Sequence, residues 1–569
     1  MRKYAILLGT ILLGFASALS YAQAPVPFIN LPLVPDATPP GGSTFTLTVN
    51  GTGFVSNSVI NWNGTALATQ FVSGSQLTAT VPAADIAKRG TGQITVVTPG
   101  PGGGASTAVP FEVTTRIPVL TFNSSDYGDG YGFPSVVAAD FNRDGNLDMA
   151  GVSGAGIVSV FLGNGKGDFT FRGNYPAGSD NDNDSLAVGD FNGDGIPDLA
   201  VRGGAVLLGN GDGSFQAAIP YPVSCNAAIA VGDFNGDGKL DIACTDTSNV
   251  VYILLGNGDG TFQSAGSYAT GSGAYGVAVG DFNQDGKLDL AIALGGSMFG
   301  GQNVVAILLG NGDGTFQLPV NYATAGDSYY VYAADLNGDG LLDLVAPVQS
   351  SAQISVLLGN GDGTFHPHVD YPAGAEVWRG GLADFNGDGK LDVIVTSWYT
   401  DDDEFFVLLG NGDGTFREPL AYTAGPCPLG TAFGDFNNDG ILDMVIGAQC
   451  GAVVSAMLGG AVGITPDTLA FGTVAVGQQG SLTVQLTNIQ KSALKIAGIA
   501  ISGGKGAYSQ TNNCGNSVAA SQSCTITVTF APTATGSFGG QVLVEDNAAG
   551  NPQRVFLSGR GSSAAVARR

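Results

Sequence analysis

The chain is poor in the residues that most often carry chemistry. It holds two histidines, three tryptophans and six cysteines in 569 residues, and charged residues make up 12% of it. Its histidines, His366 and His368 in "TFHPHVDY", suit ordinary surface or packing roles rather than a metal site or a general base. No nucleophile constellation, phosphate-binding loop or cysteine–metal spacing is recognisable, so the expectation is a protein that is not an enzyme, with no catalytic residues and no organic cofactor. After residue 22 no run of 18 consecutive apolar residues could cross a bilayer as a helix, and no transmembrane segment is expected. Basic residues are scarce, 21 against 47 acidic, for a net charge of −26. Such a surface repels nucleic acid and anionic lipid and attracts cations.

What is present begins with an export signal. Arg2 and Lys3 precede an apolar run from Ala5 to Leu19 and then small residues, so residues 1–22 read as a signal peptide cut after Ala22. The expectation is bacterial export and a secreted or cell-surface protein. Losing Arg2 and Lys3 lowers the charge by two, from −26 to −28. An even cysteine count in an exported chain favours disulfides, here three local pairs: Cys225–Cys244, Cys427–Cys450 and Cys514–Cys524. The 90 glycines and the short Val/Ile/Leu/Thr runs between Gly/Asn/Asp clusters indicate an all-β protein.

An acidic nonapeptide, "DFNGDGKLD" in one copy, starts at Asp140, Asp190, Asp233, Asp281, Asp335, Asp384 and Asp435, at spacings of 43 to 54 residues. Each copy lies between apolar runs such as "GVAVG" and "LDLAIAL", followed by a variable loop and "VVAILLGNGDGTFQ". That is four short strands per unit, and seven such units predict a seven-bladed β-propeller over residues 118–460. The Asn-Gly and Asp-Gly steps of "GNGDG" suit a hairpin turn. Unit seven lacks its "NGDGTF" strand, while an orphan "LTFNSSDYGDGYG" lies upstream of unit one. Tyr127 precedes Asp140 by the same 13 residues that separate Tyr268, Tyr322, Tyr371 and Tyr422 from their next loops. Leu120 to Tyr127 is therefore expected to be the outer strand of blade seven, closing the ring.

Within the nonapeptide the pattern D-x-N-x-D-G-x-x-D suits a hard cation that takes six to eight oxygens. Side chains at positions 1, 3, 5 and 9 and the carbonyl at 7 are the candidate Ca²⁺ ligands. They are Asp140, Asn142, Asp144, Asn146 and Asp148 in loop one, and Asp190, Asn192, Asp194, Ile196 and Asp198 in loop two. Loops three and four offer Asp233, Asn235, Asp237, Lys239, Asp241 and Asp281, Asn283, Asp285, Lys287, Asp289. Loops five and six offer Asp335, Asn337, Asp339, Leu341, Asp343 and Asp384, Asn386, Asp388, Lys390, Asp392. Loop seven offers Asp435, Asn437, Asp439, Ile441 and Asp443. The varied residues at position 7 fit a carbonyl ligand, and the glycine at position 6 permits the sharp turn. An EF-hand's glutamate at position 12 is missing, and strands replace its helices. The loops hold 21 of the 47 acids, so up to seven Ca²⁺ ions would bring −28 to about −14.

Units such as "VAVGDFNQDGKLDLAIAL…VVAILLGNGDGTF" resemble the FG-GAP/VCBS repeats of integrin-α-type propellers. The resemblance implies a seven-bladed propeller with Ca²⁺ between the first and second strands, usually serving adhesion or ligand binding. Residues 26–115, with "FTLTVNGTGFVSNSVINWNGTAL", resemble an IPT/TIG immunoglobulin-like domain. Residues 461–562, with "LAFGTVAVGQQGSLTVQLTN" and "CTITVTFAPTATGSFGGQVLVED", resemble the abnormal-spindle/choice-of-anchor immunoglobulin-like type, leaving 563–569 as a tail. The predicted fold is thus a propeller flanked by two β-sandwiches.

The loops opposite the acidic ones vary most, and they carry Tyr329, Tyr330, Trp378, Arg379, Trp398 and Tyr399. Aromatic and arginine side chains suit interface hot spots and sugar stacking, which makes this a candidate ligand face, with packing between blades as the alternative role. The functional expectation is a monomeric extracellular binding or adhesion protein whose partner is an unknown protein or glycan. A lectin-like carbohydrate binder is the first alternative and a propeller hydrolase or lyase the second.

Overall fold

The computed structural model describes residues 24–100, 102–114, 120, 122–128, 132–178, 185–247, 249–295, 302–374, 377–397, 403–459, 462–465, 468–488, 493–520, 522–547 and 553–563. The signal segment and the tail's last six residues lie outside them. The protein is all-β, and among the described residues the only helical segments are single 3-10 turns.

The N-terminal domain is a two-sheet sandwich. One sheet runs Phe28–Val34, Phe45–Thr52, Gln76–Val81, Ala68–Ser73, and the other is built around Gly90–Thr98 and Val109–Val113. Alternation along "FTLTVNGT" turns Leu47 and Val49 inward, where Ile60, Leu77, Ile94, Val96 and Phe111 complete the core.

Seven four-stranded antiparallel sheets follow. In the third, Ile229–Gly232, Asp241–Asp246, Val250–Gly256 and Phe262–Ala269 pair in chain order. The second strands are buried throughout, because neighbouring sheets cover both faces. The seventh sheet takes its outer strand from far upstream: Phe122–Tyr127 pairs with Val453–Gly459, in register Phe122 to Gly459 and Tyr127 to Val454. Each innermost strand neighbours the next, and Pro428–Gly434 of the seventh sheet lies against Ser135–Ala139 of the first. The arrangement is consistent with a propeller.

Aromatic pairs join sheet to sheet. The phenylalanine at nonapeptide position 2 meets the outer-strand phenylalanine of the following sheet edge-on: Phe141 with Phe215, Phe191 with Phe262, Phe234 with Phe316, Phe282 with Phe365. Phe385 meets Phe122 on the strand from upstream, and Phe436 meets Phe169 of the first sheet. A tyrosine packs on each of these outer-strand rings, as Tyr422 does on Phe122 and Tyr127 on Phe169. Such pairs contribute about 0.5–1.5 kcal/mol each beyond area burial.

A second sandwich closes the chain. Val462–Thr465, Gly480–Asn488, Ser523–Phe530 and Tyr508–Asn512 form one sheet, and Thr468–Ala475, Gln553–Ser562, Gly536–Asp546, Leu494–Gly503 and Ser517–Val518 the other. Disulfides link Cys225–Cys244, Cys427–Cys450 and Cys514–Cys524, with Cα separations of 5.6, 5.4 and 4.9 Å.

Candidate metal centres

Each nonapeptide folds into the same loop between the first and second strands of its sheet. The glycine at position 6 has φ between 75° and 87° in all seven copies. Position 4 is left-handed as well, in Arg143, Gly193, Gly236, Gln284, Gly338, Gly387 and Asn438. That second requirement escaped the sequence reading, although four glycines and an asparagine at one position were its signal.

Hydrogen bonds inside the loop turn its oxygens inward. In loop three Asp233 accepts the N–H groups of Asp237 and Gly238, Asn235 Oδ1 accepts that of Asp237, and Asp237 Oδ1 accepts that of Lys239. The aspartate at position 9 is solvent-free in every copy. Asp241 Oδ2 accepts the N–H of Phe234 at 2.9 Å, and its Oδ1 accepts the N–H of Gly256 at 2.8 Å. The same two bonds recur at Asp148, Asp198, Asp289, Asp343, Asp392 and Asp443. Position 9 therefore ties the loop to the end of the third strand. The glycine that donates the second bond opens "GNGDG", and a Cβ on Gly256 would lie 2.2 Å from the Leu240 carbonyl oxygen. Its role depends on a contact between strands, which a local motif does not display.

Crowded, buried carboxylates resist ionisation. Burial raises Asp148, Asp198, Asp289 and Asp343 to about 7 and Asp241 to about 8, and the loop's other carboxylates add to the shift. Asp392 and Asp443 are raised well above the usual range for the same reasons. At position 1 burial raises Asp233, Asp281 and Asp335, and raises Asp384 to about 6. By contrast Asp259, Asp313, Asp362 and Asp413 in the "GNGDG" turns are exposed and lowered by hydrogen bonds from the threonine two residues on.

The donor set at each loop is oxygen only, which fits a hard cation. In loop six Asn386 is 2% exposed, and its Oδ1 receives no hydrogen bond although its amide nitrogen reaches Asp392. A buried oxygen without a donor is the kind of group a cation satisfies. Among the described residues no three acidic, histidine or cysteine side chains converge as a ready-made metal cluster. The carboxylates are instead turned onto backbone N–H groups.

The FG-GAP-like repeat family matches residues 140–201, 202–244, 233–292, 293–346, 348–395 and 384–446, more than half of the chain and all seven nonapeptides. The chain belongs to the FG-GAP-like repeat family. The IPT/TIG domain matches residues 31–113, and the C-terminal sandwich, residues 461–562, matches Cep192 domain 4. No curated protein sequence matches. Among solved structures, BBS1N in complex with ARL6DN is 11% identical over 60% of this chain and 98% of that chain, with a TM-score of 0.43. An auxiliary nutrient binding protein from Bacteroides ovatus ATCC 8483 is 11% identical over 76% and 98%, with a TM-score of 0.34. The ASH/PapD-like domain 7 of human CEP192 is 17% identical over 18% and 87%, with a TM-score of 0.16.

The FG-GAP loops do not all face solvent alike, because the IPT/TIG domain sits on several of them. The Val26 N–H donates to Asp233 Oδ2 at 2.9 Å, Thr91 Oγ1 to Asp435 Oδ2 at 3.2 Å, and the Asp335 N–H to the Leu31 carbonyl at 2.9 Å. Gly238 and Gly440 lie against the backbone of Ala24, Gly102 and Gly90, whereas Gly145, Gly286, Gly340 and Gly389 meet nothing within 4 Å. A cavity of about 670 Å³ remains between the domain and loops one, two, three and seven.

The expected ligand face needs correction for four of its residues. Tyr329, Trp378 and Arg379 are buried and Tyr330 is largely so, in one cluster with Tyr275, Ala227 and Leu429 where the innermost strands begin. Tyr329 and Trp378 stack at 4.2 Å, and the Arg379 guanidinium lies 4.5 Å from the Tyr330 ring centre. These side chains fill the middle of the array and offer no surface to a glycan. Trp398 and Tyr399 lie outside the described residues. His368 pairs with Asp370 on the fifth sheet's outer strand at 2.8 Å, and Ser355 donates to the same carboxylate.

Proposed function

We propose that the chain is a secreted calcium-binding propeller, closed by the strand Phe122–Tyr127, that works as an extracellular or cell-surface binding and adhesion protein. The observation that carries this reading is the sevenfold oxygen-only loop. Each copy brings three aspartates into one nine-residue loop, where burial and then repulsion from the carboxylates at positions 1 and 5 make ionising the aspartate at position 9 costly. A divalent cation removes that cost. Asp, Asn and Asp at positions 1, 3 and 5, the carbonyl at 7 and Asp at 9 would hold Ca²⁺, which when bound supplies fixed positive charge and rigidity. Asn386 Oδ1 supports the assignment, and the three disulfides suit an oxidising compartment. No catalytic role belongs to this reading, and the partner is an extracellular protein or glycan.

The test is thermal unfolding of the protein lacking residues 1–22, metal-free and with millimolar Ca²⁺, alongside metal analysis. A higher Tm with about seven ions per chain is expected. No shift and no bound calcium would reduce the loops to acidic turns.

A further inference from the structure

We propose that loops three and four bind calcium more weakly than loops one and five, because Lys239 and Lys287 at position 7 already supply those two loops with a cation of their own. In loop three the Lys239 N–H donates to Asp237 Oδ1 at 3.0 Å, and its ammonium lies 3.6 Å from Asp237 Oδ2. In loop four the same two groups of Lys287 reach Asp285 Oδ1 at 3.0 Å and Oδ2 at 3.2 Å. One residue thus engages both oxygens of the position-5 carboxylate. In loops one and five a neutral amide holds the second oxygen: Asn142 donates to Asp144 Oδ2 at 3.1 Å, and Asn337 to Asp339 Oδ2 at 3.0 Å. Among the described residues no lysine or arginine forms an ion pair with a carboxylate of loops one or five.

The fold holds these two ammonium groups in place. In loops three, four and five the position-7 side chain lies across the "GNGDG" turn of its own sheet. A Cβ on Gly258 would stand 3.1 Å from Lys239 Cδ, one on Gly312 2.8 Å from Lys287 Cδ, and one on Gly361 2.7 Å from Leu341 Cδ2. The stem rests on the turn whatever its tip, so the residue type decides whether a charge stands at the rim of the loop. In loop six the tip is drawn away, since Lys390 donates to the Asn411 carbonyl at 2.6 Å. A calcium ion taking Asp237 or Asp285 must displace the ammonium from Oδ2 or bind beside it, and either way like charges oppose it. Both ammonium groups are partly exposed, so water and salt limit the effect to roughly threefold to tenfold in affinity for each loop. Loops one and five therefore fill first as calcium rises, and sheets three and four answer to higher concentrations.

The inference rests on the calcium reading, and the experiment separates the two. Calcium binding to the protein lacking residues 1–22 is followed by titration calorimetry at fixed ionic strength, for the wild type, for Lys239→Met/Lys287→Met and for Leu341→Lys. Methionine keeps the stem on the turn and removes the charge, and the calcium-saturated Tm of each variant shows that it folds. The double variant is expected to move two ions per chain to roughly threefold to tenfold lower calcium, and Leu341→Lys to move one ion as far the other way. Calcium isotherms of both variants that superimpose on the wild type's would overturn this inference and leave the calcium reading intact. No bound calcium in any of the three proteins would overturn both.

Discussion

Metal-free protein should lose stability as the pH rises from 5 to 8. Asp148, Asp198, Asp289 and Asp343 are solvent-free, and burial raises each from 3.8 to about 7. The unfolded chain gives up these protons near pH 4, whereas the folded chain keeps them until about pH 7. Between those values the folded state binds more protons, so the stabilisation is full below pH 4 and lost as the pH passes through 7. A rise from 3.8 to about 7 corresponds to ~4 kcal/mol for one group. About two of those three pH units lie between pH 5 and 8, so for a folding unit of ~340 residues at ~2.1 cal/mol/K per residue the scan covers ~3 kcal/mol, or ~4 °C in Tm, per group. Scanning calorimetry of rigorously metal-free protein at pH 5, 6, 7 and 8 and constant ionic strength reads this directly. Calcium competes with protons for the same carboxylates, so its addition should raise Tm most at pH 8 and flatten the slope. A metal-free Tm that is level or rises from pH 5 to pH 8 would refute the argument.

Three further outcomes follow from the same geometry. Gly256→Ala should lower the urea midpoint by the equivalent of ~3 kcal/mol, because the new Cβ meets the Leu240 carbonyl, while Gly286→Ala, in open space at φ +82°, should cost only ~1 kcal/mol. Phe436→Ala removes the ring that meets Phe169 and should cost ~3–5 kcal/mol in chemical unfolding. Cys225→Ser with Cys244→Ser opens a link spanning 19 residues and should cost ~3 kcal/mol under non-reducing conditions.

The repeat was legible because its signals are local: nine residues fix a turn, and apolar runs on either side fix two strands. The outer-strand tyrosines were legible too, since their spacing to the next loop recurs. The glycine that opens "GNGDG" was read only as a turn residue, because its amide serves an aspartate 11 to 21 residues away. Trp378 and Tyr329 looked like ligand-binding residues since a variable aromatic loop has the same composition whether it meets solvent or fills the middle of a ring. The seat of the IPT/TIG domain left no sequence signal. Val26 and Asp233 lie 207 positions apart, and nothing in either segment points to the other.

The strand borrowed by the seventh sheet also decides how the molecule answers to force. Phe122, where the chain arrives from the IPT/TIG domain, is paired with Gly459, where it departs toward the C-terminal sandwich. Tension between the two flanking domains therefore pulls at one end of an antiparallel pair. Its hydrogen bonds would break in succession, as a zipper opens, instead of sharing the load in shear. A pull of this kind would reach the Ser455–Asp126 bond, formed across 329 residues of chain, only after the pairs nearer Phe122 had parted. Separation of this strand from the seventh sheet would come before any of the other six sheets unfolded.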